Sequence, residues 1–185
     1  IFTTNNPFVN LNIFVNTNYL LGLVIMFLFG AILWTPLIIY PPMMQNMQGY
    51  PEDITGLFLA LRGLGTLCGS TLLVFINKWF DPRLILSFGF FLQGIAGIYM
   101  ASFDVNLSAS GLAWANTLAG FGVGFVWVPL TLITFSTLDK KYLNEGNAFW
   151  HLTRNIGSSI SISITIALII RSTAINYDEL SHFVS

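Results

Sequence analysis

The chain has 185 residues, of which 55% are hydrophobic and 8% charged, with a mean hydropathy of +0.74 and a formal net charge of -1. Seven Lys+Arg and eight Asp+Glu cannot clothe a water-soluble surface, where about a quarter of residues are charged, so a soluble globular domain is excluded. No basic field is present for nucleic acid, and the single Cys68 excludes an intrachain disulfide framework and reads as a small packing residue in an apolar run.

A helix that crosses a bilayer needs roughly 20 mostly apolar residues, because the hydrocarbon core is about 30 Å thick and a helix rises about 1.5 Å per residue. Residues 1–18 are more polar and read as a cytoplasmic, interfacial lead-in. The first predicted span covers about 19–40 and is closed by Pro41-Pro42. The second covers about 54–76 and is interrupted by Arg62, and the third covers about 84–102. The fourth, about 108–137, is longer than needed and is expected to tilt or bend at Pro129. The fifth covers about 147–170, and residues 171–185 read as an external loop leading to a further helix outside this sequence. The fold class is therefore an all-α integral membrane bundle of about five transmembrane helices, with short loops that make successive helices antiparallel.

Basic residues set the direction. Lys78 and Arg83 follow the second span, and Lys140 and Lys141 follow the fourth, against Arg171 alone on the other side. The N-terminus is expected in the cytoplasm and the C-terminal tail outside. Asn106-Leu107-Ser108 fits a glycosylation sequon, but a short loop against the membrane makes a poor acceptor. Met43, Met44 and Met47 read as apolar filler rather than a copper path.

A charge inside a membrane helix is costly, so it faces a bundle interior or a wet cavity. Arg62 lies about eight residues, or roughly 12 Å, from the external end of its span. Its two readings, a substrate or ion pathway and a packing role, carry equal weight. Arg154 is nearer its interface, and a structural role is favoured there, with His151 one turn away as polar packing. No Asp or Glu lies within a span, so proton coupling has no carboxylate here. Gly65 and Gly69 are four apart, as are Gly120 and Gly124, the spacing that lets two helix backbones approach. Trp34, Gln45, Gln93, Asn116, Trp127 and Asn155 are candidates to line a cavity for an amphipathic compound. No hydrolytic constellation, metal cluster, P-loop or cofactor motif stands in the sequence, so an enzyme is not expected.

Four stretches carry a resemblance. They are Leu11–Phe14 with Asn16–Tyr19; Pro42-Met43-Met44-Gln45 with Gly49-Tyr50 and Gly56; Arg62-Gly63-Leu64-Gly65 with Asp81-Pro82-Arg83; and Gly120, Gly122, Gly124 and Pro129 with Arg154-Asn155-Ile156-Gly157-Ser158. In this order and spacing they resemble the C-terminal half of a major facilitator superfamily transporter, most closely the fourteen-span EmrB/QacA-type drug:proton antiporters.

The resemblance implies substrate bound between two pseudo-symmetric halves near the midplane, and export of amphipathic compounds against inward proton flow. It implies a multi-pass protein of the cell membrane, with the bacterial inner membrane as its setting. The N-terminal half of the same transporter would be its partner and would carry the coupling carboxylate. It also implies a gating role for the loop holding Asp81 and Arg83, although the usual aspartate-basic pair before them is replaced around Asn77, Lys78 and Trp79. Gly65, Gly69, Gly120, Gly124 and Arg154 would then belong to moving or packing interfaces. The opening residue Ile1 and the uneven helix count favour a piece of a longer chain. The alternative is a membrane scaffold or assembly subunit that does not transport.

Overall fold

The computed structural model describes residues 11–102 and 109–184. Among them the chain is five long helices and two short 3-10 turns, with no strand: α1 (Thr17–Gln48), α2 (Glu52–Ile76), α3 (Pro82–Ala101), α4 (Ala109–Phe135) and α5 (Leu143–Val184). All five are long and apolar enough to cross a membrane. The Asn106 sequon and residues 1–10 of the lead-in lie outside the described residues.

Two helices run further than the sequence reading drew them. α1 does not stop at Pro41-Pro42 but continues to Gln48, where Gly49 takes a left-handed conformation (φ 68°). Its N–H turns back to the Met44 carbonyl, as does that of Tyr50 at 3.1 Å. Prolines in a membrane helix are tolerated where neighbouring groups take up the backbone they free, and α1 holds three: Pro36, Pro41 and Pro42. α5 does not stop near Ile170 either, and the backbone stays helical through 171–184. At about 1.5 Å per residue its 42 residues reach about 63 Å, twice the hydrocarbon core. α4 passes through Pro129 as one helix of 27 residues.

Local signals explain the other ends. Asn16 caps α1 by accepting from the Tyr19 N–H. Asp81 caps α3 and Pro82 follows it, a residue whose missing N–H costs nothing in a first turn. Glu52 and Asp53 occupy the first turn of α2, where a negative charge meets the positive end of the helix.

α4 is the centre. Within its most apolar stretch 56% is buried, against 6% for α5. It packs on α2, α3 and α1, while α5 packs on α1. The buried positions of α2 (Thr55, Phe58, Arg62, Gly65, Gly69, Leu73) recur every three or four residues, a single stripe. Two of them are glycines, and α4 answers with two of its own. A Cβ at Gly120 would fall on the Arg62 carbonyl, and one at Gly65 on the Thr117 carbonyl. At Gly69 it would stand 2.6 Å from the Phe121 carbonyl, and at Gly124 2.7 Å from the Thr66 carbonyl. Backbone therefore touches backbone over about two turns, and Thr66 bonds across the seam to the Gly120 carbonyl at 3.0 Å. Gly63, Gly94 and Gly97 face open space and take no part, and Cys68 is exposed rather than packed.

α1 and α5 repeat the device. A Cβ at Gly157 would strike the Phe27 carbonyl, and one at Gly30 would meet the Arg154 carbonyl. At the end of the bundle where α4 gives way to α5, side chains of α1 bind the end of α4. Asn18 donates to the Ile133 carbonyl at 2.7 Å and Asn16 to the Thr137 carbonyl at 2.8 Å. The buried Tyr19 hydroxyl donates to the Gly146 carbonyl at 2.7 Å.

Two outcomes check this arrangement. Gly120→Ala in the full-length protein is expected to destabilise by about 2 kcal/mol or more, as overpacking against backbone does, while Gly63→Ala stays within about 0.5 kcal/mol; thermal unfolding in detergent reads both, and equal losses would contradict the seam. For direction, a cysteine replacing Asp53 in a Cys68→Ala background should react with a membrane-impermeant maleimide on intact cells. One replacing Lys140 should react only after permeabilisation, and the reverse pattern would invert the topology.

Candidate functional site

The backbone seam fixes where Arg62, the one buried cation among the described residues, sits. Arg62 is 5% exposed, and its backbone is pinned against Gly120. Its Nη2 donates to the Leu33 carbonyl of α1 at 3.2 Å. Its Nη1 is buried and finds no partner among the described residues. Leu33 precedes Pro36 by three residues. That proline removes one helix hydrogen bond and crowds the carbonyl of the preceding turn, so Arg62 reaches α1 beside the turn that proline loosens. Tyr40, also buried on α1, stands near Arg62.

Two amides share this level of the bundle. Gln93 of α3 is buried and donates to the Ala119 carbonyl at 3.1 Å. A Cβ at Gly122 would stand 3.2 Å from its Cγ. Asn116 is fully buried on α4; its Nδ2 donates to the Leu112 carbonyl at 3.0 Å, and its Oδ1 has no partner among the described residues. At Gly120 a guanidinium N–H, and one turn along α4 at Asn116 an amide oxygen, lack a partner among the described residues. A buried polar atom without a partner costs roughly 1–3 kcal/mol, more when charged. Such atoms mark where water, a ligand or another part of the protein completes the bonding.

Trp127 and Arg154 form a second group about two turns further along α4. The Arg154 guanidinium stands 5.5 Å from the Trp127 ring centroid, within cation–π range. Its Nη2 also donates to Asn155 Oδ1 at 3.2 Å. Phe29 packs beside Trp127 at 6.2 Å and edge-on to Phe90 at 6.1 Å. Of the candidates for a common cavity, Arg62, Gln93 and Asn116 share one layer, and Trp127 belongs to this second group. Trp34 is 41% exposed and Asn155 is exposed, so neither joins that layer within this part of the chain. Gln45 is half-buried near the end of α1.

At the turn between α2 and α3, Asp81 Oδ1 accepts from the Arg83 backbone N–H at 2.9 Å. This makes Asp81 a helix cap first. The exposed Arg83 lines a cleft of about 380 Å³ with Asn18, Ser136 and Thr137. Sequence reasoning passed over Tyr40 and the Leu33 carbonyl as partners of Arg62, for which the three prolines of α1 were the available signal. It also passed over Gly30 and Gly157 as a contact, because the other glycines of their helices, Gly22 and Gly146, stand eight and eleven residues away and no four-residue spacing announces it.

Comparison with known proteins places this geometry. The sequence profile of the Major Facilitator Superfamily matches residues 3–162. The chain is 27% identical to the multidrug export protein EmrB of Escherichia coli, over 99% of this chain and 36% of that protein. It is 21% identical to the fatty acid resistance protein FarB of Neisseria gonorrhoeae, over 97% of this chain and 35% of that protein. It is 22% identical to the lincomycin resistance protein LmrB of Listeria innocua, over 90% of this chain and 35% of that protein. The chain spans about a third of the length of these relatives. With its five apolar helices and the profile covering most of its length, this multi-pass membrane chain belongs to the major facilitator superfamily.

Proposed function

We propose that the chain is part of a secondary active exporter of drugs or other amphipathic compounds, working by alternating access in a bacterial inner membrane. The observation that carries this reading is Arg62: a cation 5% exposed inside a membrane bundle, with Nη2 bonded to Leu33 and Nη1 without a partner among the described residues. An intramembrane charge of this kind is expensive, roughly 2.5–3.5 kcal/mol on insertion scales, and is kept where a pathway needs it. Arg62 and Asn116 would offer a donor and an acceptor to the polar end of a substrate, while the apolar walls take up its body. Trp127, stacked by Arg154, would line the path towards the cytoplasm. Trp34 and Asn155, exposed here, would meet the path through the rest of the protein.

The names of the relatives, which speak of multidrug export and of resistance to fatty acid and lincomycin, favour amphipathic cargo. The apolar cores of the five helices hold no carboxylate. Proton coupling would therefore fall to an acidic residue in the N-terminal half. The seam at Gly65, Gly69, Gly120 and Gly124 would keep α2 and α4 together as one body while that body rocks against its partner half. Asp81 and Arg83 would act at the cytoplasmic gate.

In cells expressing the full-length protein, efflux of a fluorescent amphipathic dye should exceed that of an empty vector and collapse when the proton gradient is discharged. Arg62→Ala should cut efflux at least tenfold at unchanged membrane levels, since removing a buried cation eases insertion. Arg62→Lys should recover only part, because an ammonium lacks the second arm that holds Leu33. Full efflux by Arg62→Ala would remove Arg62 from the pathway.

A further inference from the structure

A groove of about 530 Å³ opens on the outer face of the bundle between α2, α3 and α4, away from Arg62. Its walls are Leu72 and Ile76 of α2, Phe80 of the turn, Leu84 and Phe88 of α3, and Phe121 of α4, and they expose no polar surface. The volume falls within the range of small-molecule sites, about 300–1,000 Å³. The turn that closes one end of it holds Lys78 and Trp79, and Arg83 follows in the first turn of α3; all three are exposed, Trp79 at 85%.

We propose that this groove holds an acyl chain of an anionic phospholipid from the leaflet on the Lys78–Arg83 side, with the headgroup phosphate met by Lys78 and Arg83. Depth supports this occupant. From the turn inward to the level of Leu72 and Phe121 the groove runs roughly 10 Å, at about 1.5 Å per residue. One leaflet contributes about half of a core of about 30 Å, so the groove ends within that leaflet. An acyl chain entering from the interface stops there, whereas a spanning helix needs a face that runs the whole thickness. The charges support it too. The side chains of Lys78 and Arg83 are long enough to reach the headgroup layer while their stems lie against apolar surface. Trp79 marks the level of that layer, as interfacial tryptophans do. A smaller groove of about 230 Å³ lined by Ile95, Tyr99, Trp114 and Leu118 lies near the opposite end of α3. No Lys or Arg lies in the residues flanking it, so it serves as an internal control.

The test reconstitutes the full-length protein in phosphatidylcholine vesicles containing a trace of phospholipid with a photoactivatable diazirine in its acyl chain. The headgroup is phosphatidylglycerol or phosphatidylcholine, and labelled peptides are mapped by mass spectrometry. The phosphatidylglycerol probe should label the segment 72–88 at least threefold above the phosphatidylcholine probe, with no such preference at 95–118. Both charges are removed in the double variant Lys78→Gln/Arg83→Gln, of which Arg83 also lines the cleft with Asn18, Ser136 and Thr137. It should lower the phosphatidylglycerol signal at 72–88 at least threefold, to the phosphatidylcholine level, because both juxtamembrane charges that attract an anionic headgroup are gone. Leu84→Trp, which fills the groove, should lower labelling by both probes. Equal labelling by the two probes would overturn the proposal. So would a signal spread evenly over the lipid-facing helices, or a groove left unlabelled because another segment of the protein covers it.

Discussion

The closest approach in the bundle is between the backbones of α2 and α4, and it is possible only because no Cβ stands between them. Arg62 lies against Gly120, Gly65 against Thr117, Gly69 against Phe121 and Gly124 against Thr66. In lipid the tails are as apolar as leucine, so burial of hydrophobic surface gives helices little reason to associate. Tight packing and interhelical hydrogen bonds do that work instead. Thr66, bonded to the Gly120 carbonyl, and Gln93, bonded to the Ala119 carbonyl, add such bonds on either side of α4. The seam does more than hold two helices together: it sets the height and direction of Arg62, which leaves α2 towards the proline-bearing stretch of α1.

The edges of the bundle follow a different logic. α5 touches α1 through Gly30 and Gly157, and Thr35 and Ser161 share a hydrogen bond of 2.7 Å across that contact. Beyond it, Ile160, Ile164, Leu168 and Ile170 are exposed. A helix so apolar and so little covered needs lipid or protein against it. The relatives are about three times as long as this chain, so both kinds of neighbour are available to it.

Much of this was legible from residues alone. The five spans followed from hydropathy and length, and the glycine spacing at 65/69 and 120/124 pointed to close packing where the backbones do meet. The prolines misled. Pro41-Pro42 read as the end of α1, but a membrane helix carries prolines when neighbours satisfy the freed groups, and the stop lies at Gly49. The stretch 171–184 read as a loop because it is less apolar, yet polarity alone does not end a helix and no glycine or proline interrupts it. At the candidate site the residue types were visible and their partners were not. Arg62 stood out as a buried charge, but its bond to Leu33 joins helices 29 positions apart, and no local pattern encodes that. Trp34 looked like Trp127 in sequence, and only the packing separates the exposed ring from the one stacked by Arg154.

The central claim is that Arg62 Nη1, which has no partner among the described residues, faces the route a substrate takes. The most direct measurement is a cryo-electron-microscopy structure of the full-length protein in lipid nanodiscs with an exported compound bound. The account expects an acceptor atom of the compound, or an ordered water in the same cavity, within hydrogen-bond distance of Arg62 Nη1, with Gly120 still against the Arg62 backbone. A carboxylate from the rest of the chain paired with Nη1 and walled off from the compound would contradict it.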